Sequence, residues 1–392
     1  VSRKNSHHSS VSAFAGAGLD RRRFVAGAAA LVAGAMARPA GAEERMAAAA
    51  FDPGDIAGRC DKALAARRLW NLHGVVVMRD GGLLFERYFT GADNARGEPL
   101  GTVAFGPETL HDLRSVTKSV VGLLYGIALA QGKVPPPETP LYGLFPQYAA
   151  LGIEAGRDRI TLHHVLSMTM GLDWDETSLP YSDPANSEIA MDRAPDRLRY
   201  VLARAVVEPP GQRWTYCGGA TALLGRLIAT GTGEPLHAYA RRVLFDPLGL
   251  GRTDWLAARD GEAYAASGLR MTPRDLARIG AMMATEGRAG GVTVVPADWL
   301  RRITTPVIPC DEMRRYGYQW YLSDIAYGPN RGWSVGRLTT MWMAQGVGGQ
   351  RLFVMPALGL VVAITAGNYR SDDQWIPPTR MLREVVLGLP PR

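Results

Sequence analysis

Ser115 and Lys118 stand three residues apart in Ser115-Val116-Thr117-Lys118. On a helix, residues at i and i+3 share a face, with Cβ atoms about 5–6 Å apart. The spacing sets an amine against a hydroxyl. The chemistry open to that pair is nucleophilic: the amine takes the hydroxyl proton and the oxygen attacks a carbonyl. The chain has 15 serines but only four lysines, Lys4, Lys62, Lys118 and Lys133. Every other basic side chain apart from histidine is arginine, which does not accept a proton at neutral pH. A lysine at this spacing is therefore informative. The bland alternative is a capping serine beside a solvated lysine.

The elements around the pair support the first reading. Val116, Val120, Leu123, Leu124, Ile127 and Ala128 follow a 3.6-residue period from Ser115, and Gly132 supplies a stop. Ser115 is thus placed at a helix start, where free N–H groups and the dipole favour a developing oxyanion. Burial of Lys118 on an apolar first turn is expected to lower its pKa and make it a base.

Gly74–Arg79 and Leu83–Phe89 flank Asp80-Gly81-Gly82 as a hairpin, and a polar loop is expected from there to about Leu110. Thr161 caps a helix through Met168. Further helices are read at Thr221–Thr230, at His237–Leu244 and from Thr272-Pro273 to Met283. Strands return at Gln319–Leu322, Thr339–Ala344, Arg351–Met355 and Gly359–Ala366, followed by a helix over Asp373–Leu389. The fold class is α/β. One antiparallel sheet is built from both chain ends and flanked by helices, with a mainly helical region inserted at about 135–300.

Five further stretches resemble, in order, the penicillin-recognising serine hydrolases: class C β-lactamases, DD-peptidases and related esterases. They are Ile160–Leu172, Trp214–Gly225, Phe245–Leu250, Ser267–Arg278 and Gly346-Val347-Gly348-Gly349-Gln350. The resemblance covers roughly residues 70–390. It implies the β-lactamase/DD-peptidase fold and an acyl-enzyme on Ser115, with no metal or organic cofactor. It makes Tyr216 the third catalytic residue and gives the oxyanion to the N–H groups of Ser115 and Val347.

Two departures matter. The usual Tyr-Ser-Asn is Tyr216-Cys217-Gly218, and Met341–Gly346 carries no lysine where a Lys-Thr-Gly is usual. Both losses remove groups that bind penicillins. Within the family, the 6-aminohexanoate-dimer hydrolases and their carboxylesterase relatives resemble the chain more. They imply Tyr181, in Tyr181-Ser182-Asp183-Pro184-Ala185, as a substrate contact, together with Gly218 and Gly348. The expected substrate is a small ester or linear amide. The alternatives are a β-lactamase or DD-peptidase and a non-catalytic ligand-binding relative.

Composition excludes other classes. The chain is 47% hydrophobic and 21% charged, with net charge +7. Residues 1–42 carry +5 of that and the rest +2, so no basic stripe marks a nucleic-acid partner. Arg21-Arg22-Arg23-Phe24-Val25, the apolar run to Ala37 and Ala40-Gly41-Ala42 read as a twin-arginine export signal. A linker or leading helix over 43–68 and a hydrolase domain over 69–392 follow. The expectation is an exported protein, periplasmic or extracellular, that meets the twin-arginine machinery and has no stable membrane span. Three cysteines make no disulfide framework, and no His or Cys spacing marks a metal site. Asp173, Asp175 and Glu176 read as a solvated turn, with a cationic substrate end as the alternative. Cys217 reads as structural.

Overall fold

The computed structural model describes residues 52–95, 97–328, 337–369 and 371–391. The leader read at residues 1–42 lies outside them. The described residues form one compact unit.

Helix α1 (Ile56–Ala65) precedes strands β1 (Leu72–Arg79) and β2 (Gly82–Tyr88). Arg79 pairs with Gly82, leaving a two-residue turn of Asp80 and Gly81. Both have positive φ, 49° and 80°, which matches the right-handed twist of the flanking strands. The expected polar loop is instead a second hairpin, β3 (Thr90–Ala95) and β4 (Glu98–Ala104). Its strands are short of apolar residues and largely exposed. They lack the alternation that marks a strand in sequence.

Strand β5 (His111–Asp112) leads into helix α2 (Val116–Ala130). Every α2 residue from Val116 to Ala128 is buried, as expected of a helix that is apolar all round. The middle of the chain holds α3 (Leu162–Ser167), α4 (Ser187–Arg193), α5 (Arg197–Leu202), α6 (Gly218–Thr232) and α7 (Leu236–Ala240). Strands β6 (Asp254–Trp255) and β7 (Leu269–Met271) then join β5 in a small sheet of order β5-β7-β6. Helix α8 (Pro273–Ala284) is capped by Thr272, whose side chain accepts from Asp275 N at 3.0 Å. It packs across β1 and two late strands. It therefore belongs to the sheet's covering layer, although it falls within the stretch read as inserted.

After the small hairpin β8 (Arg288–Ala289) and β9 (Val292–Thr293) and helix α9 (Ala297–Ile303), the main sheet resumes. Its strands are β10 (Ile308–Pro309), β11 (Arg315–Tyr316), β12 (Tyr321–Tyr327), β13 (Arg337–Gly346), β14 (Gln350–Met355) and β15 (Leu360–Ala366). The order is β10-β11-β12-β13-β14-β15-β1-β2. All its pairings are antiparallel, and β15 pairs directly with β1. The expected sheet from both chain ends is present. Val75 and Val77 of β1 face a core with α1 and the terminal helical segment α10 (Ile376–Arg380) and Met381–Val386. Val76 faces the opposite core with α2 and α8, as period-two alternation requires. Among the described residues, no helix is long and apolar enough to cross a membrane.

Helix α3 shows how the fold spends a histidine. Thr161 and His164 form a reciprocal cap, with His164 Nδ1 accepting from Thr161 N at 3.0 Å. Burial, then His163 beside it, lowers the His164 pKa from 6.5 to about 4. The unfolded chain therefore binds this proton first. The stabilisation is complete above pH 6.5 and is lost as pH falls towards 4. Glutamine keeps the acceptor but removes the proton. We expect His164→Gln to reduce the acid-side loss by about 1 kcal/mol at about pH 5, with solvent screening allowed for. Urea midpoints of both proteins at about pH 5 and 8 measure it.

Candidate active site

Ser115 is the N-cap of α2, yet its side chain makes no capping hydrogen bond. Its Oγ instead accepts from Lys118 Nζ at 3.2 Å. The capping alternative is thereby removed. Lys118 is buried, and its Nζ also donates to Ala266 O at 3.1 Å. Thr117 locks the turn: its hydroxyl donates to Arg114 O at 2.6 Å and accepts from Leu269 N at 3.2 Å. Arg114 holds φ at 50° immediately before Ser115. A non-glycine residue in that region is strained, and such strain clusters at functional turns.

Tyr216 leads into α6 and sits over the lysine, with Lys118 Nζ 4.7 Å from its ring centroid. Trp214 packs against Tyr216, Tyr316 and Tyr321, so the phenol rests on an aromatic wall. The three residues singled out by motif order thus meet at one point.

Glu176 was expected in a solvated turn, but it is buried. Its Oε2 accepts from Trp174 Nε1 at 2.9 Å and from Gly218 N, at the start of α6, at 2.5 Å. Its Oε1 lies 3.7 Å from Lys118 Nζ and accepts from the Tyr181 hydroxyl at 3.1 Å. Glu188 of α4 is buried beside it. Anions gain from a helix N-terminus, so Glu176 turns inward at α6 while Asp173 and Asp175 stay exposed, as expected of them. A Cβ on Gly218 would come within 3.0 Å of Glu188 Cδ and 3.2 Å of Glu176 Oε2. The carboxyls fill the room that a side chain at 218 would need.

This pair overturns the expectation for Lys118. Burial does push its pKa down, but Tyr216, Glu188 and Glu176 together raise it above its ordinary value. Lys118 rests as a cation. Burial and Glu188 raise Glu176 far above the usual carboxylate range. Burial likewise raises Tyr216, with Lys118 opposing. When Glu176 is ionised, a proton moved to it from Lys118 neutralises two buried charges, so a neutral amine is within reach of Ser115.

The remaining candidates divide. Tyr181 enters the site through Glu176, and Gly218 supplies an N–H to the same carboxylate. Val347 lies in the turn between β13 and β14, next to Gly346. A Cβ on Gly346 would meet Leu113 O at 2.4 Å and Arg114 Cβ at 3.2 Å. Glycine there lets the strand end approach the nucleophile turn. Gly348 has φ of 91° and gives its N–H to Gln374 Oε1 at 2.6 Å. That N–H shapes the turn and is not offered to a ligand. Cys217 caps α6, its Sγ accepting from Ala220 N at 3.3 Å, and burial raises its pKa. It is structural, as expected. Sequence reading missed Glu188 altogether. The signal for the pair was indirect: a glycine as the third residue of Tyr216-Cys217-Gly218, and an acid two residues after a tryptophan.

Known proteins share this architecture. The chain is 27% identical over 244 residues to 6-aminohexanoate-dimer hydrolase of Paenarthrobacter ureafaciens, covering 58% of this chain and 56% of that one. It is 29% identical over 222 residues to esterase EstB of Burkholderia gladioli, covering 52% and 55%. The chain thus spans about half the length of the curated relatives it matches. A solved structure described as a putative 6-aminohexanoate-dimer hydrolase from Bacillus anthracis superimposes with a TM-score of 0.63. It is 18% identical and covers 84% of this chain and 83% of that one, which shows the fold. Residues 64–375, most of the chain and all of the residues just described, match the family model named Beta-lactamase, and the chain belongs to that family.

Proposed function

We propose that the protein is a serine hydrolase that cleaves a small ester or linear amide through an acyl-enzyme on Ser115. The observation that carries this is the Ser115 hydroxyl, free of capping duty and held by Lys118 with Tyr216 alongside. In the proposed reaction Lys118 passes its extra proton to Glu176 and takes the proton of Ser115 as Oγ attacks the carbonyl carbon. The N–H groups of Ser115 and Val347 hold the oxyanion. Tyr216 protonates the leaving alkoxide or amine, and water then hydrolyses the acyl-enzyme.

The surroundings favour such substrates over penicillins. The place of the asparagine that relatives use holds two buried carboxyls, and the strand Met341–Gly346 offers no lysine. That strand therefore brings no lysine to a penicillin carboxylate. The names of the relatives, a hydrolase of an amide-linked dimer and an esterase, point the same way. The leader sequence extends the proposal to an exported enzyme, on its residue pattern alone.

Labelling with a reactive alkyl phosphonate tests the proposal. Peptide mass analysis is expected to place the phosphonyl group on Ser115. An unlabelled Ser115 together with undiminished turnover of p-nitrophenyl esters would sink it. Nitrocefin turnover matching that of the esters would instead favour the β-lactamase alternative.

A further inference from the structure

Strands of three different sheets converge on one buried cluster beside the nucleophile segment. His73 comes from β1, Asp93 from β3 and His111 from β5, four residues before Ser115. All three are buried, and their donor atoms lie within 4.8 Å of one another. His73 Nδ1 is 2.8 Å from His111 Nε2, and Asp93 Oδ1 is 3.6 Å from that same nitrogen. The Tyr369 hydroxyl donates to Asp93 Oδ1 at 3.1 Å. Phe105 stacks on His73 at 4.1 Å and gives the cluster an apolar wall.

The hydrogen positions follow from the contacts. His111 Nδ1 lies 3.0 Å from the carbonyl oxygen of Asp112. A carbonyl only accepts, so Nδ1 carries the hydrogen and Nε2 turns its lone pair to the cluster. Proteins orient metal-ligating imidazoles in this way. Burial disfavours the charged form of both rings. The carboxylate is the unresolved partner. Asp93 Oδ2 is buried with no hydrogen bond among the described residues, and the ion-pair contact recorded for Asp93 there is to His111 alone. The 2.8 Å contact makes His73 Nδ1 the donor to the His111 lone pair, a proton that a bound cation would displace, and the buried carboxylate 3.6 Å from His111 Nε2 is unfavourable without a cation.

We propose that His73, Asp93 and His111 bind one divalent first-row transition ion of the zinc type, with the Tyr369 hydroxyl as a neighbouring donor. Two imidazoles and a carboxylate are a zinc-like donor set. Seating the ion at bonds of about 2.0–2.1 Å parts the two ring nitrogens to about 3.3 Å. The ion ties β1, β3 and β5 together and fixes the segment that runs through Asp112, Leu113 and Arg114 to Ser115. Its role is a brace behind the nucleophile turn, and it takes no part in the acyl transfer. Residues 73, 93 and 111 form no local spacing motif, so the sequence hid the site.

Zinc loading of chelator-treated full-length protein tests this. Elemental analysis after dialysis is expected to find about one equivalent per chain, and the melting temperature to rise on the order of 5 °C. His73→Asn and Asp93→Asn, checked for folding by circular dichroism, are each expected to lose that equivalent. X-ray absorption of the zinc-loaded wild type is expected to show two imidazole ligands, a readout that needs no variant. No bound zinc, binding retained in either variant, or a spectrum with fewer than two imidazoles overturns the proposal.

Discussion

Ser115→Ala is expected to lower turnover of p-nitrophenyl esters by about 10,000-fold or more and to abolish acyl-enzyme formation, while the fold is retained. Removing a nucleophile destroys the covalent route itself, so the residue that remains can only bind and polarise substrate. Alanine is well tolerated at this position. Ser115 makes no capping hydrogen bond, and among the described residues its hydroxyl is hydrogen-bonded to Lys118 alone. Melting temperatures of the two proteins should therefore be close. Stopped-flow bursts and intact-mass measurements on the wild type and the variant read the effect. Equal rates in both would remove Ser115 from the chemistry and the proposed function with it.

Glu176→Gln should act through protons, and its signature differs from that of a damaged fold. The wild type can move the Lys118 proton to a carboxylate 3.7 Å away whose own pKa burial and Glu188 have raised. The variant has no such acceptor. Tyr216 and Glu188 still favour the Lys118 cation, so the amine must lose its proton to solvent. We expect kcat/KM to fall by about 100-fold near neutral pH. It should then recover about tenfold per pH unit through the range of about pH 7 to 9, as expected for a base with one raised pKa. A variant that is merely misshapen stays slow at every pH. A flat profile with a lowered plateau would leave Glu176 as a structural residue only, and an unchanged rate would exclude it from the reaction.

These two residues also mark what the sequence made legible. Ser115, Lys118 and Tyr216 were readable because each sits on a local pattern: a helix period, a rare lysine, an ordered motif. The sheet from both chain ends was readable for the same reason, since its strands are apolar runs between turn residues. Glu176 was not. Its burial depends on Trp174 beside it and on Gly218 at the start of α6, 42 residues further along the chain. The charge on Lys118 was misjudged for the same cause. Desolvation is visible in an apolar helix, but the carboxyls that outweigh it arrive from elsewhere in the fold. The β3–β4 hairpin escaped notice because Thr90–Ala95 carries almost no apolar residues, so no periodicity marks it.

The pairing of β1 with β15 has a consequence for how the molecule comes into being. The strands that meet inside the main sheet are the first and last of the chain, nearly 300 residues apart. Contact order is therefore high at the centre and low at the edges, which slows folding and postpones closure. A ribosome-bound chain that has emerged only as far as β14 has two half-sheets with unpaired edges and nothing to join them. Such edges invite association with other chains. The nucleophile turn, which leans on Gly346 at the end of β13, gains that support only when the half-sheet bearing β13 is joined to the rest. Activity and assembly thus arrive together, late, with the last strand.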